Sequence, residues 1–135
     1  MEKIIRIDPK DASALNYLGY TYAEMGIKLE QALDLISKAH EIRPDDGYIT
    51  DSLGWVYFQM GNFEKAVVYL EKAAELTTFE TIIADHLGDA YMKLNRYRDA
   101  LAAFEKSVAN AQEQDKKNLP KIRKKIETIK KLLNE

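Results

Sequence analysis

The sequence predicts an all-α chain, built as a solenoid of antiparallel helix pairs and closed at its C-terminal end by a capping helix. Three observations carry this. A Leu-Gly-x-x-Tyr motif occurs three times at spacings of 35 and 34 residues. Apolar residues between the motifs recur at three- and four-residue steps, the helical period. Only six Gly and three Pro occur in 135 residues, and each has a boundary, turn or packing role, which leaves long uninterrupted elements rich in the helix formers Ala, Leu, Glu and Lys.

The repeat is read from its anchors. Leu18-Gly19-x-x-Tyr22, Leu53-Gly54-x-x-Tyr57 and Leu87-Gly88-x-x-Tyr91 are each followed by an alanine, at Ala32, Ala66 and Ala100, that opens an Ala-x-x-x-large apolar step ending at Ile36, Leu70 and Phe104. Pro9 and Pro44 stand at joints between units. In the second unit, Asp45 or Asp46 is placed to cap a helix start. Tyr48, Ile49, Ser52, Leu53, Val56 and Tyr57 form one stripe, Gly61-Asn62 breaks it, and Phe63, Ala66, Val67, Leu70, Ala73 and Ala74 form the next. The absence of bulk at Gly54 and Ala66 lets the two helices of a pair approach closely.

The same reading places helices at 11–25, 29–42, 46–60, 63–76, 80–94 and 97–113. Asn95 takes the turn position held by Gly26 and Gly61, since both residue types tolerate a left-handed backbone. One extra residue before Ala32 predicts a longer turn at Ile27-Lys28-Leu29. Residues 1–10 read as the end of a partial preceding repeat, because Ile-Asp-Pro at 7–9 parallels Ile-Arg-Pro at 42–44. Units follow at 11–46, 47–80 and 81–114. Residues 115–135 form the capping helix: Pro120 suits a first turn, and Leu119, Ile122, Ile126, Ile129 and Leu133 line one side, with Lys and Arg elsewhere. A terminal repeat needs such a cover, apolar inside and polar outside. A membrane-surface, nucleic-acid or partner helix is the other use for this pattern.

A 34-residue period with these anchors resembles the tetratricopeptide repeat family over roughly residues 2–112. The chain departs from the family pattern at Leu15, Thr50 and Ala84, where an aromatic is usual, and at Thr78 and Gln112, where a joint proline is usual. The resemblance implies a right-handed solenoid, a scaffold or adaptor role, and a concave surface lined by the first helix of each pair. Counted from the Leu-Gly anchor, its exposed positions would be Ser13, Asn16, Tyr17, Tyr20, Ala23 and Glu24, then Tyr48, Asp51, Ser52, Trp55, Phe58 and Gln59, then Ile82, Asp85, His86, Asp89, Met92 and Lys93. Family members that grip a peptide's terminal carboxylate use Lys, Asn and Arg at positions held here by Asn16, Tyr20, Ser52, Ile82 and His86; the cationic part of that clamp is absent, which argues against a chaperone tail as ligand.

The aromatic residues Tyr20, Tyr48, Trp55 and Phe58 are flanked by the carboxylates Glu24, Asp51, Asp85 and Asp89. This points to a protein or peptide partner presenting an apolar, basic segment, although such rings can also fill space between neighbouring first helices. Self-association through unfinished repeat ends, giving a homo-oligomer, is the alternative function.

Other chemistry has little support. Cysteine is absent, so disulfides and thiolate metal sites are excluded. His40 and His86 are the only histidines, and apart from the local grouping Asp85-His86-Asp89, which reads better as a polar cluster, neither has ligand-like spacing to a second donor, so no metal is expected. No phosphate loop or dinucleotide fingerprint occurs, so no cofactor is expected, and no nucleophile–base grouping supports an enzyme. The net charge of −2 conceals an asymmetry: residues 116–135 carry eight Lys or Arg against two Glu, while residues 1–115 carry 12 basic and 20 acidic residues. The acidic body would repel phosphates, so no nucleic acid is expected, and no apolar run reaches the length of a membrane span. The compartment is not legible; a cytoplasmic setting is favoured over a periplasmic or lipid-anchored parent.

Overall fold

A computed structural model describes residues 10–134. Its described residues are helical: α1 (Ala12–Glu24), α2 (Leu29–Ile42), α3 (Gly47–Gln59), α4 (Phe63–Leu76), α5 (Thr81–Lys93), α6 (Tyr97–Ala109), a 3₁₀ turn (Glu113–Asn118) and α7 (Leu119–Leu133). Each α-helix packs on the next in chain order, and α1, α3 and α5 also touch side by side, making a right-handed solenoid with α7 closing its last pair. The expectation that residues 2–8 end an earlier helix falls outside the described residues.

Local chemistry sets the helix ends. Asp11 caps α1 by accepting from Ala14 N–H at 3.0 Å. Asp46, rather than Asp45, caps α3 by accepting from Tyr48 and Ile49 N–H at 2.9 and 3.2 Å. Asn62 accepts from Lys65 N–H at 3.3 Å at the start of α4. Gly26, Gly61 and Asn95 all take the left-handed backbone after a first helix, at φ of 67°, 84° and 58°. The extra residue of the first unit is absorbed at Lys28, also left-handed at φ 49°.

The fit within each pair depends on the motif glycines. A Cβ built on Gly19, Gly54 or Gly88 would fall under 3.0 Å from Ile36, Leu70 or Phe104, respectively. The large residue four positions after each repeat alanine therefore lies over the glycine, and Ala32, Ala66 and Ala100 are fully buried beside it. The core divides into an α1–α3 cluster around Leu15, Ile36 and Val56 and an α4–α7 cluster around Leu70, Phe104 and Ile129, with Tyr57 packed against both. Tyr57 stacks on Tyr69 with ring centroids 5.5 Å apart, Tyr91 donates to Glu71 Oε2 at 2.5 Å, and Tyr22 lies under the Lys28 ammonium.

One of the expected helix ends is off by more than a residue. α6 stops at Ala109 rather than at 113, because Asn110 turns its side chain across the joint. Its Nδ2 donates to the carbonyls of Thr78 and Phe79 at 3.2 and 2.9 Å. Those two residues form the α4–α5 joint where proline is missing, and both are left-handed, at φ 55° and 58°. Such a backbone costs roughly 1–2 kcal/mol per non-glycine residue. Nearby, Thr81 Oγ1 donates to the Ser107 carbonyl at 2.9 Å, and Ser107 Oγ returns a bond to the Thr81 carbonyl at 2.7 Å, both buried.

Candidate functional site: the concave face

The inner face is made by α1, α3 and α5, with α7 as a wall at the C-terminal end. Two clefts, each of about 370 Å³, share Tyr20. One is lined by Ser13, Asn16, Tyr17, Tyr20, Asp46, Tyr48 and Ile49. The other is lined by Tyr20, Glu24, Trp55, Ile82, Asp85, His86 and Asp89, together with Asn118, Lys121, Ile122 and Lys125 from the C-terminal segment. Tyr17, Tyr48 and Ile82 present apolar surface here, at 76%, 59% and 42% exposure.

The inner face is less open than the motif count implied. Asp51, Ser52, Ala23 and His86, expected to be exposed, are buried. The reason is the close lateral packing of first helices, which presses their adjoining positions together. Asp51 and His86, at 6% and 7% exposure, meet there across α3 and α5, with 2.9 Å between Asp51 Oδ1 and His86 Nδ1. Burial opposes protonation of His86, but the Asp51 carboxylate, with Asp85 and Asp89 beyond it, outweighs that and holds the imidazole above its ordinary pKa. The ring Nδ1–H donates to the Asp51 carboxylate, whose charge favours the protonated imidazole.

Trp55 and Phe58 are also partly structural. The Trp55 ring lies between Phe58 and His86, with centroids 4.4 and 4.0 Å away and nearly parallel planes. Phe58 also meets Phe63 edge-on at 5.3 Å. Gln59 reaches back to α1, donating to the Ala23 carbonyl at 2.8 Å. Ser52 bonds its own helix at the Tyr48 carbonyl, 3.1 Å away. The Asn16 Oδ1 and Trp55 Nε1 atoms are buried without a hydrogen-bond partner. Burial, reinforced by Glu24 and Asp51, pushes the Tyr20 phenol above its ordinary pKa.

The expected acidic flank is largely neutralised within the chain. Lys125 of α7 reaches across to Asp85 and Asp89, 2.9 Å from an oxygen of each. Burial works against its charge, but Asp89 and Asp85 together raise its pKa, so it stays an ammonium. Burial and the neighbouring Asp85 raise the pKa of Asp89, with Lys125 opposing them. Only Glu24 remains as an exposed carboxylate of the expected four.

Sequence reasoning missed α7 as a groove wall, having treated its lysines as a solvated face. The available signal was the Asp85/Asp89 pair, one turn apart on α5, facing an apolar-striped helix rich in lysine. His40 lies away from the groove on α2, edge-on to Tyr69. Among the described residues no cluster of three or more His, Asp or Glu is arranged to hold a metal, and no helix is long and apolar enough to cross a membrane.

Comparison with known proteins agrees with this architecture. The chain is 42% identical over 73 residues to the TPR repeat-containing protein PA4667 of Pseudomonas aeruginosa, an alignment covering 51% of this chain but only 12% of that protein. The type III secretion translocator chaperone SycD of Yersinia enterocolitica superposes with a TM-score of 0.84 at 16% identity, over 96% of this chain and 90% of that one. The first TPR of Spaghetti (RPAP3), solved with the HSP90 peptide SRMEEVD, gives 0.69 at 22% identity, over 90% of this chain and 97% of that one. At these identities the two structures speak to fold alone. Models of the tetratricopeptide repeat match residues 1–34, 51–78 and 84–114, and the chain, with its three Leu-Gly-x-x-Tyr units folded as stacked helix pairs, belongs to the tetratricopeptide repeat family.

Proposed function

We propose that this chain is a non-enzymatic protein-interaction scaffold whose concave face binds an extended or helical segment of a partner protein. The observation that carries the reading is the pair of clefts joined at Tyr20. They adjoin along the inner face, and Tyr17, Tyr48 and Ile82 there expose large apolar surfaces. Large rings of few rotors are efficient binding anchors. The structures similar in fold include one solved with a peptide and one described as a chaperone, which supports the reading by analogy.

The geometry also selects the test. Trp55 and Asp51 hold the inner wall together through His86, so their replacement would disturb folding and binding at once. Tyr17, Tyr48 and Ile82 are better targets. Twelve-residue apolar-rich peptides selected against the intact chain should lose roughly tenfold or more in affinity to the Tyr17→Ala/Tyr48→Ala/Ile82→Ala variant. Unchanged affinity for the selected peptides would rule out the groove. The alternative of stacking through unfinished repeat ends rests on residues 2–8, outside the described residues.

A further inference from the structure

A third cleft, of about 360 Å³, is lined by Met92 on one side and Lys121, Lys124, Lys125 and Thr128 of α7 on the other. It adjoins the Trp55 cleft, since Lys121 and Lys125 line both. Its charges are not equivalent. Lys125 is held by Asp85 and Asp89, whereas Lys121 and Lys124 are exposed and make no ion pair with a described residue. Lys93 is turned toward the Phe63 ring and does not line this cleft.

Resting on the groove-binding reading, we propose that this end of the groove takes an acidic stretch of the bound segment, with a carboxylate against Lys121 and Lys124 and an adjoining apolar side chain on Met92. The partner is therefore an apolar–acidic peptide segment, opposite in charge to the one suggested by counting carboxylates along the sequence. The inversion has a simple cause: the carboxylates that would attract a basic ligand already have a lysine, supplied by α7 itself. That internal lysine occupies both Asp85 and Asp89 from within the chain.

The net negative charge of the chain does not oppose this. At physiological salt the screening length is about 8 Å, so distant acids on α2 and α4 act weakly, while the two lysines stand at the point of contact. Apolar walls beside them strengthen the local field, and their methylene stems can lie along Met92 with the ammonium groups at the rim. Complementary charge of this kind contributes more to register and partner choice than to total affinity.

The test uses the intact chain and three fluorescein-labelled pools of twelve-residue peptides with equal Leu, Phe and Tyr content. Their remaining positions are drawn from Asp and Glu, from Lys and Arg, or from Ser and Gln. Fluorescence anisotropy should rank the acidic pool tightest, by about tenfold over the basic pool, the scale of two partly screened ion pairs. Lys121→Glu/Lys124→Glu should abolish that preference and leave the neutral pool unchanged. Arg123→Glu/Lys130→Glu makes the same change in net charge on exposed residues that line neither cleft, and should preserve the preference. Equal loss in both double variants would mean general attraction to a basic helix and overturn the proposal. Tighter binding of the basic pool, sensitive to Tyr17→Ala/Tyr48→Ala/Ile82→Ala, would overturn it while leaving the groove intact. Failure of all three pools to bind would overturn the groove reading and the proposal together.

Discussion

Asp51 and His86 are 35 residues apart in the chain, and neither identity alone announces a buried ion pair. Burial opposes protonation of His86, but the Asp51 carboxylate beside it holds its pKa above that of an ordinary imidazole. A group whose folded pKa is raised adds stability that is fully present below its unfolded pKa and fades as pH rises through the folded value. His86→Gln should therefore lower the thermal midpoint most at about pH 6 and progressively less at alkaline pH; a gap that widens with pH would contradict the charged pair. Thr78 offers a second test, because its left-handed backbone suits a residue without a Cβ. Thr78→Gly should stabilise by roughly 0.5–1 kcal/mol in urea unfolding, the relief of strain exceeding the added chain entropy. Asn110→Ala, which removes both donors spanning that joint, should cost about 1–2 kcal/mol.

Within a helix pair, the repeat motif acts through contact distance. Gly54 meets Leu70 and Gly88 meets Phe104, so a methyl group at either glycine has no room unless the partner side chain moves. Gly54→Val should cost about 1–3 kcal/mol by overpacking, and a double-mutant cycle with Leu70→Ala should show a favourable coupling term. Gly61 is a useful contrast: a Cβ there would meet nothing within 4 Å, and only its φ of 84° resists substitution. Its loss should not be relieved by trimming any neighbour. These close contacts were legible because a glycine, an alanine and a large residue recur in register. The end of α6 was not, because Asn110 answers a strained joint about thirty residues earlier, a pairing that local periodicity does not encode.

Across the molecule, α7 is cover and wall at once. Ile122 and Ile129 are buried against α6 and the last core cluster, while Lys125 spans the inner face. A chain ending at Gln112 should lose roughly 3–6 kcal/mol of apolar burial from these two isoleucines and their neighbours. Calorimetry should show a lower midpoint, and light scattering should show association through the uncovered face; an unchanged monomer would mean that α7 does not seal the array. Tyr57, packed on both clusters, should keep the intact chain a single cooperative unit.

By itself the sequence determined the helices, their pairing and their order, because these follow from interactions within one repeat or between adjacent ones: a period of apolar residues, a cap, a turn residue, a glycine facing a bulky neighbour. It also singled out the inner face. Which inner side chains stay open was decided only by the tertiary structure. Lateral packing of α1, α3 and α5 buried Asp51, Ser52 and His86, and the return of α7 placed Lys125 on Asp85 and Asp89. Burial and charge at a groove depend on every element that reaches it, and helical periodicity describes one element at a time.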